Sequence, residues 1–212
     1  MNNYLENLNE EQKLPVLHKD GPLIVIAGAG SGKTRVLTYR IIHLINEGVD
    51  PFNILALTFT NKAALEMKNR ISLITSESVS RSIWMGTFHS IFARILRSEA
   101  PLIGYPTNFT IYDTYDSEKL ISNIIKEKKL DKDTYKAKSI KNRISSLKNN
   151  FITVENYFNN SELIEVDKAA KRDLFGEIYQ EYVRRCFKAS VMDFDDLLLK
   201  TNELLNKSPE TL

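Results

Sequence analysis

With a single cysteine, Cys186, the chain cannot form an internal disulfide. No apolar stretch approaches the roughly 18–20 residues of a membrane-spanning helix. The opening Met1-Asn2-Asn3-Tyr4-Leu5-Glu6 lacks the basic-then-apolar form of a signal peptide. A cytoplasmic protein with no membrane partner is therefore the expectation. Charge of one sign is lacking too: a formal net charge of +2 gives no global field for nucleic acid, so any basic surface has to be local. There is no internal repeat and no low-complexity linker. What is present suffices for a core, because 42% of the 212 residues are hydrophobic, enough for one large or two small domains.

The most informative segment is Ala27-Gly28-Ala29-Gly30-Ser31-Gly32-Lys33-Thr34, directly after the apolar run Leu23-Ile24-Val25-Ile26. It reads as a phosphate-binding loop. Such a loop wraps backbone N–H groups around a β-phosphate, sets the lysine ammonium on the β/γ oxygens and gives the next hydroxyl, here Thr34, to Mg²⁺. Gly28, Gly30 and Gly32 permit positive φ and close backbone approach, and a helix starting near Lys33 directs its positive dipole end at the phosphates. Ala27 stands where the GxxxxGK[ST] pattern has glycine, a small-for-small change. The competing reading is a glycine-rich turn that only joins a strand to a helix. The context favours the loop: Leu23–Ile26 is expected to be a buried parallel strand, and Val36, Leu37, Ile41, Leu44 and Ile45 share one helical face that Gly48 and Pro51 close.

Strand and helix signals alternate through the first hundred residues. Ile54–Thr60 precedes a helix pattern at Ala63, Ala64, Met67, Ile71 and Ile74, and Ile83-Trp84-Met85 precedes one at Phe88, Ile91, Phe92, Ile95 and Leu96. This order implies a parallel sheet with right-handed crossovers, at whose carboxyl edge Gly28–Thr34, Thr58–Lys62 and Gly86–Ser90 gather. After Pro101, Phe109–Tyr112 reads as one more strand. From about Asp113 to Val191 the signals are almost all helical: Leu120, Ile121, Ile124 and Ile125; Ile140, Ile144 and Leu147; Leu174, Ile178, Tyr182 and Val183. A last helix runs from Asp193 to Leu205. Lys126 to Lys148 hold nine Lys/Arg, which suits either phosphate contact or a solvated helix face.

At Phe59, Thr60, Asn61 and Lys62 an aromatic ring, a hydroxyl, an amide and a cation converge where strand passes into helix, a mixture that suits single-stranded DNA. Phe59 equally suits core packing, and Thr60 or Asn61 could serve only as a helix N-cap. Asp193, Asp195 and Asp196 invite a metal site, but they precede Leu197-Leu198-Leu199 instead of following an apolar strand; a helix cap is the alternative.

Taken together, these residues resemble the N-terminal part of a superfamily-1 DNA helicase of the UvrD/Rep/PcrA type. The resemblance rests on Leu8-Asn9-Glu10-Glu11-Gln12, Ala27–Arg35, Thr58–Ala64 with Glu66, Met67 and Arg70, Gly86-Thr87-Phe88-His89-Ser90 and Asp193-Phe194-Asp195-Asp196-Leu197, five motifs in family order. It implies an α/β fold, a RecA-like P-loop NTPase parallel sheet, incomplete, with an inserted all-helical subdomain. Residues 1–112 and 192–212 would belong to the ATP-binding motor domain 1A and 113–191 to subdomain 1B. It implies ATP and Mg²⁺ as cofactors, held by Gln12, Ala27, Gly28, Ala29, Gly30, Ser31, Gly32, Lys33, Thr34 and Arg35. Gln12 would read the adenine edge, Arg35 would lie on its face, Lys33 and Thr34 would be catalytic, and Thr34 would contact the metal. As residues alone, Gln12 is an ordinary exposed helix glutamine and His89 a histidine satisfied within the fold.

Phe59, Thr60, Asn61, Lys62, Thr87 and His89 would contact DNA, with single-stranded and duplex DNA as partners. The resemblance also implies ATP-driven translocation and unwinding, 3′-to-5′ by family habit, a polarity that no residue here dictates. The family's Asp-Glu-x-Gln-Asp motif is expected beyond Leu212 and its arginines in a second motor domain, so the fragment alone is expected to be inactive. Two alternatives stay open: a subunit of an AddA/RecB-type helicase–nuclease, and a truncated non-motor nucleotide- or DNA-binding protein. A small-molecule P-loop kinase is disfavoured, because it has no need of Thr58–Ala64 or Gly86–Ser90.

Overall fold

The computed structural model describes residues 4–211, and its contacts divide the chain into one compact unit ending at Ile91 and a second beginning at Phe92. In the first unit, helices α1 (Glu10–Leu17) and α2 (Lys33–Asn46) precede strand β1 (Leu55–Thr58), helix α3 (Asn61–Ile74), the short α4 (Glu77–Ser82) and strand β2 (Trp84–Thr87). Helix α5 (Phe88–Glu99) begins in this unit and ends in the next. β1 and β2 pair in parallel, Leu55 opposite Trp84 and Thr58 opposite Thr87, as expected for strands joined by a helix. Ile41, Ile42, Ile54, Ala56, Met67, Ile71 and Ile83 form the core of this unit, and each fully buried aliphatic side chain contributes about 1.5–3 kcal/mol.

Two expectations need correction. Leu23–Ile26 is not a strand: no described segment supplies the ladder of hydrogen bonds that would make it one. Alternation survives without pairing. Leu23 and Val25, 41% and 43% exposed, border a groove shared with Pro15, Val36 and Leu37, while Ile24 and Ile26 are 86% and 95% exposed. The strands also form two two-stranded parallel sheets, β1–β2 and β3–β4, instead of one continuous sheet.

In the second unit β3 (Thr110–Tyr112) is followed by α6 (Thr114–Glu127), α7 (Ala137–Asn149), α8 (Val154–Phe158), α9 (Ser161–Ala169) and α10 (Phe175–Lys188), then β4 (Val191–Asp193) and α11 (Phe194–Lys207). β4 was hidden because three residues carry no period and Asp193 resembles a helix start. It pairs with β3, so Tyr112 lies opposite Asp193 and the five helices leave and return between neighbouring strands. Their core is the one the spacing predicts: Ile121, Ile124, Ile125, Ile140, Ile144, Leu147, Ile178 and Tyr182 are buried, whereas Leu120, Leu174 and Val183 are only partly so. Burial pushes the Cys186 thiol up to about 12, which leaves it an inert core residue. A second cluster, including Leu96, Phe109, Met192 and Leu197, surrounds the β3–β4 pair. Among the described residues no helix is long and apolar enough to cross a membrane.

Only eight of the 212 residues are glycine, and this scarcity shapes the helix ends. Gly48, at φ 92°, closes α2 with Gly48 N–H donating to Ile45 O and Val49 N–H to Leu44 O. In the second unit the same left-handed position after α6, α7, α9 and α10 is filled by Lys129, Phe151, Lys171 and Ser190, at φ 55–58°. A side chain with a Cβ pays for that conformation, by about 1 kcal/mol relative to glycine. Lys171→Gly is therefore expected to raise unfolding stability by about 1 kcal/mol, measured by urea denaturation; a loss of stability would refute the strain.

Candidate functional site

The phosphate loop folds as a tight turn against the start of α2. Gly30 and Gly32 adopt positive φ, 78° and 91°, whereas Gly28 does not, so the left-handed freedom expected of all three is used at two. Ser31 closes the turn: its N–H and its Oγ donate to Gly28 O at 3.4 and 2.8 Å. Lys33 reaches back over the loop, with Nζ donating to Ala27 O at 2.9 Å and Gly28 O at 2.6 Å. Gly32 is the N-cap of α2 and offers no side-chain acceptor, and no acidic residue lies in the first turn. That end therefore presents its N–H groups, the lysine ammonium and, one residue on, the exposed Thr34. This donor set fits a polyphosphate with its divalent cation. Arg35 is exposed on the same turn, its guanidinium 5.7 Å from the centre of the Tyr39 ring.

Gln12 comes to this loop from α1. Its side chain belongs to a capping box in which Asn9 Oδ1 accepts from Gln12 N–H at 2.8 Å and Gln12 Oε1 accepts from Asn9 N–H at 3.3 Å. Its Nε2 donates to Ser31 O at 3.1 Å. A Cβ on Gly32 would lie 2.8 Å from that nitrogen, the movable end of the glutamine, so it is the left-handed φ that calls for glycine at 32. The amide keeps one N–H and one lone pair beyond these bonds. The capping role of Asn9 went unnoticed in the sequence, although Asn-x-x-Gln ahead of a helix is a capping signal.

A second group of candidates leaves the paired ends of β1 and β2. Phe59 is 96% exposed, which removes core packing as its role. Thr60 is the N-cap of α3, its Oγ1 accepting from Ala63 N–H at 3.2 Å, and the exposed Asn61 and Lys62 open that helix. Opposite, Thr87 Oγ1 accepts from Ser90 N–H at 3.3 Å, and His89 is exposed on the first turn of α5. Thr60 and Thr87 thus have structural work as caps, and a ring and a cation stand clear beside them.

The three aspartates at 193–196 do not form a metal site. Among the described residues no group of three or more His, Cys, Asp or Glu could hold an ion. Asp193 and Asp196 cap α11 reciprocally, and between them lies Lys148 Nζ, 2.8 Å from each carboxylate. Tyr182 O–H donates to Asp193 at 2.7 Å and Asn149 Nδ2 to Asp195 at 3.0 Å. Burial opposes the charge on Lys148, yet the two carboxylates outweigh it and hold the ammonium protonated. Burial and the neighbouring Asp193 push the Asp196 carboxyl above its usual range. Burial has the same tendency at Asp193, but Lys148 draws it below.

Lys148 therefore leaves the basic stretch as a surface residue, because its side chain is 1% exposed. Nothing local announces this: the nearer of its two carboxylate partners, Asp193, is 45 residues away. Lys128 and Arg143 are also engaged, with Glu177 and Asp167, while Lys126, Lys129, Lys132, Lys136 and Lys138 are exposed.

Residues 8–212 match the model of the UvrD/REP helicase N-terminal domain. The chain is similar over its full length to the ATP-dependent DNA helicase PcrA of Staphylococcus epidermidis, at 42% identity, and to that of Bacillus subtilis, at 43%. Over 97% of its length it is 40% identical to PcrA of Leuconostoc citreum. It spans 28% of the first two relatives and 27% of the third.

Lys148→Met leaves two buried carboxylates without their cation and is expected to cost about 3–5 kcal/mol in a denaturant titration. A cost below about 1 kcal/mol would show that the triad carries no stability.

Proposed function

The chain belongs to the UvrD/REP helicase N-terminal domain family, and from that premise we propose that it is the ATP- and DNA-binding N-terminal part of a cytoplasmic ATP-dependent DNA helicase. The intact motor translocates on single-stranded DNA and unwinds duplex, 3′-to-5′. The observation that carries this reading is the joining of the loop to Gln12: a phosphate cradle alone accepts any nucleotide, whereas an amide with one donor and one acceptor to spare above Gly32 suits the N6 and N7 edge of adenine. Arg35 stacks on the base, Lys33 takes the β/γ oxygens, and Thr34 gives its hydroxyl to Mg²⁺. The metal, when bound, neutralises charge on the phosphate oxygens.

Phe59 stacks on a base of the single strand, while Thr60, Asn61, Lys62, Thr87 and His89 follow its backbone. The ring's full exposure beside Lys62 supports this assignment. Residues 1–112 and 192–212 form an incomplete RecA-like motor domain, and 113–191 form a helical subdomain inserted into it. The pairing of β3 with β4 across the helical segment supports the insertion. Residues 1–212 alone bind ATP without turning it over, since the family draws its metal-holding carboxylate and its arginines from other segments.

In the intact protein Lys33→Ala is expected to lower ATP turnover by about 10²-fold or more while DNA binding is retained. Steady-state hydrolysis and DNA-binding isotherms check this, and unchanged hydrolysis would refute the role of the loop.

A further inference from the structure

We propose that Arg40 is a positioning residue for base recognition, one that holds α1 in place so that Gln12 meets the adenine; the inference rests on the reading of Gln12 given above. α1 is a poor helix by itself. It has eight residues, below the length at which isolated helices persist, and Pro15 within it supplies no N–H to the carbonyl four residues earlier. Val16 is its only buried residue and packs with Leu8 and Val36.

Its C-terminal end is held from α2. Arg40 Nη1 donates to Pro15 O at 2.6 Å and also to His18 O, so one guanidinium satisfies two carbonyls at the negative end of the helix dipole. The chain around α1 is fastened to α2 at two further points, Tyr4 O–H with His43 Nδ1 at 2.7 Å and Lys19 with Glu47. Lys19 keeps the Glu47 carboxyl below its usual range, so that contact is ionic at neutral pH.

Arg40 follows Lys33 by seven residues, two helical turns, and so lies on the same face of α2. Lys33, Val36, Leu37 and Arg40 line one groove with Pro15. The residue on the phosphate and the residue on α1 are thus fixed to one rigid helix, and the Gln12 amide, at the other end of α1, inherits its place from Arg40. Both bonds leave one nitrogen, Nη1, whose two N–H directions are fixed in the guanidinium plane at the end of a long side chain.

The test measures the affinities of ATP and GTP for the intact protein and its variants by equilibrium titration. Arg40→Met is expected to weaken ATP about tenfold and leave GTP unchanged, the loss of one well-placed hydrogen-bonded contact. The double variant Gln12→Ala/Arg40→Met is expected to be no worse than Gln12→Ala, since both changes act through one side chain. Arg40→Lys keeps the charge but is shorter and lacks the two fixed N–H directions of Nη1, and is expected to lose part of the preference. If Arg40→Met does not fold, Arg40→Lys decides alone: a reduced preference at unchanged GTP affinity supports the inference, and an undiminished one overturns it.

A purely structural role would weaken ATP and GTP alike. That result, or no change in either, overturns the inference while Gln12→Ala still abolishes the preference. If Gln12→Ala itself keeps the preference for ATP, the reading of Gln12 fails and the role of Arg40 fails with it.

Discussion

The left-handed turn at Gly32, on which the Gln12 amide rests, is the constraint that shapes the candidate site. A Cβ at residue 32 would lie 2.8 Å from Gln12 Nε2 and would also have to sit at φ 91°. Glycine there lets the loop turn into α2 and lets α1 come down onto the loop in the same place. Around the contact Ser31 O accepts from Gln12, Lys33 reaches back over the turn, and Asn9 holds the glutamine through the capping box. The first unit thus brings the loop and the Gln12 amide together through a helix too short to stand alone.

The second unit is held differently. Its core is a conventional set of isoleucines and aromatics, and two ion clusters built on buried carboxylates tie its helices together. Asp167 receives Arg143 through its Nε and Nη2 and Tyr157 through its hydroxyl. Lys148 joins the end of α7 to the start of α11 through Asp193 and Asp196. Buried charges of this kind contribute little net stability compared with apolar packing, yet breaking one is costly. The tie matters because β4 and α11 are where the helical segment returns to the sheet.

What was legible in the sequence was local. The glycine-rich turn, the buried faces of α6, α7 and α10 and the apolar runs that hold β1 and β2 depend on neighbours within a few residues, and spacing revealed them, though not where those two strands end. What depended on distant partners was not. Lys148 sits in a lysine-rich stretch and differs from its neighbours only because three groups far along the chain close around it. β4 is three residues long and exists because β3 lies beside it. Leu23–Ile26 fails in the opposite sense: its composition is that of a strand, but a strand is a relation between segments. Phe59 was undecidable from alternation, since β1 ends one residue before it and its exposure is a property of that ending.

The central claim is that α1 and the phosphate loop bind a nucleotide as one unit. Hydrogen exchange of the intact protein, with and without ATP–Mg²⁺, tests it most directly. The account predicts that amides of residues 28–34 and of residues 10–18 slow together when ATP is added, and that inorganic tripolyphosphate slows only the first set. Slowing confined to the loop with ATP, or exchange in α1 that responds equally to tripolyphosphate, would contradict it.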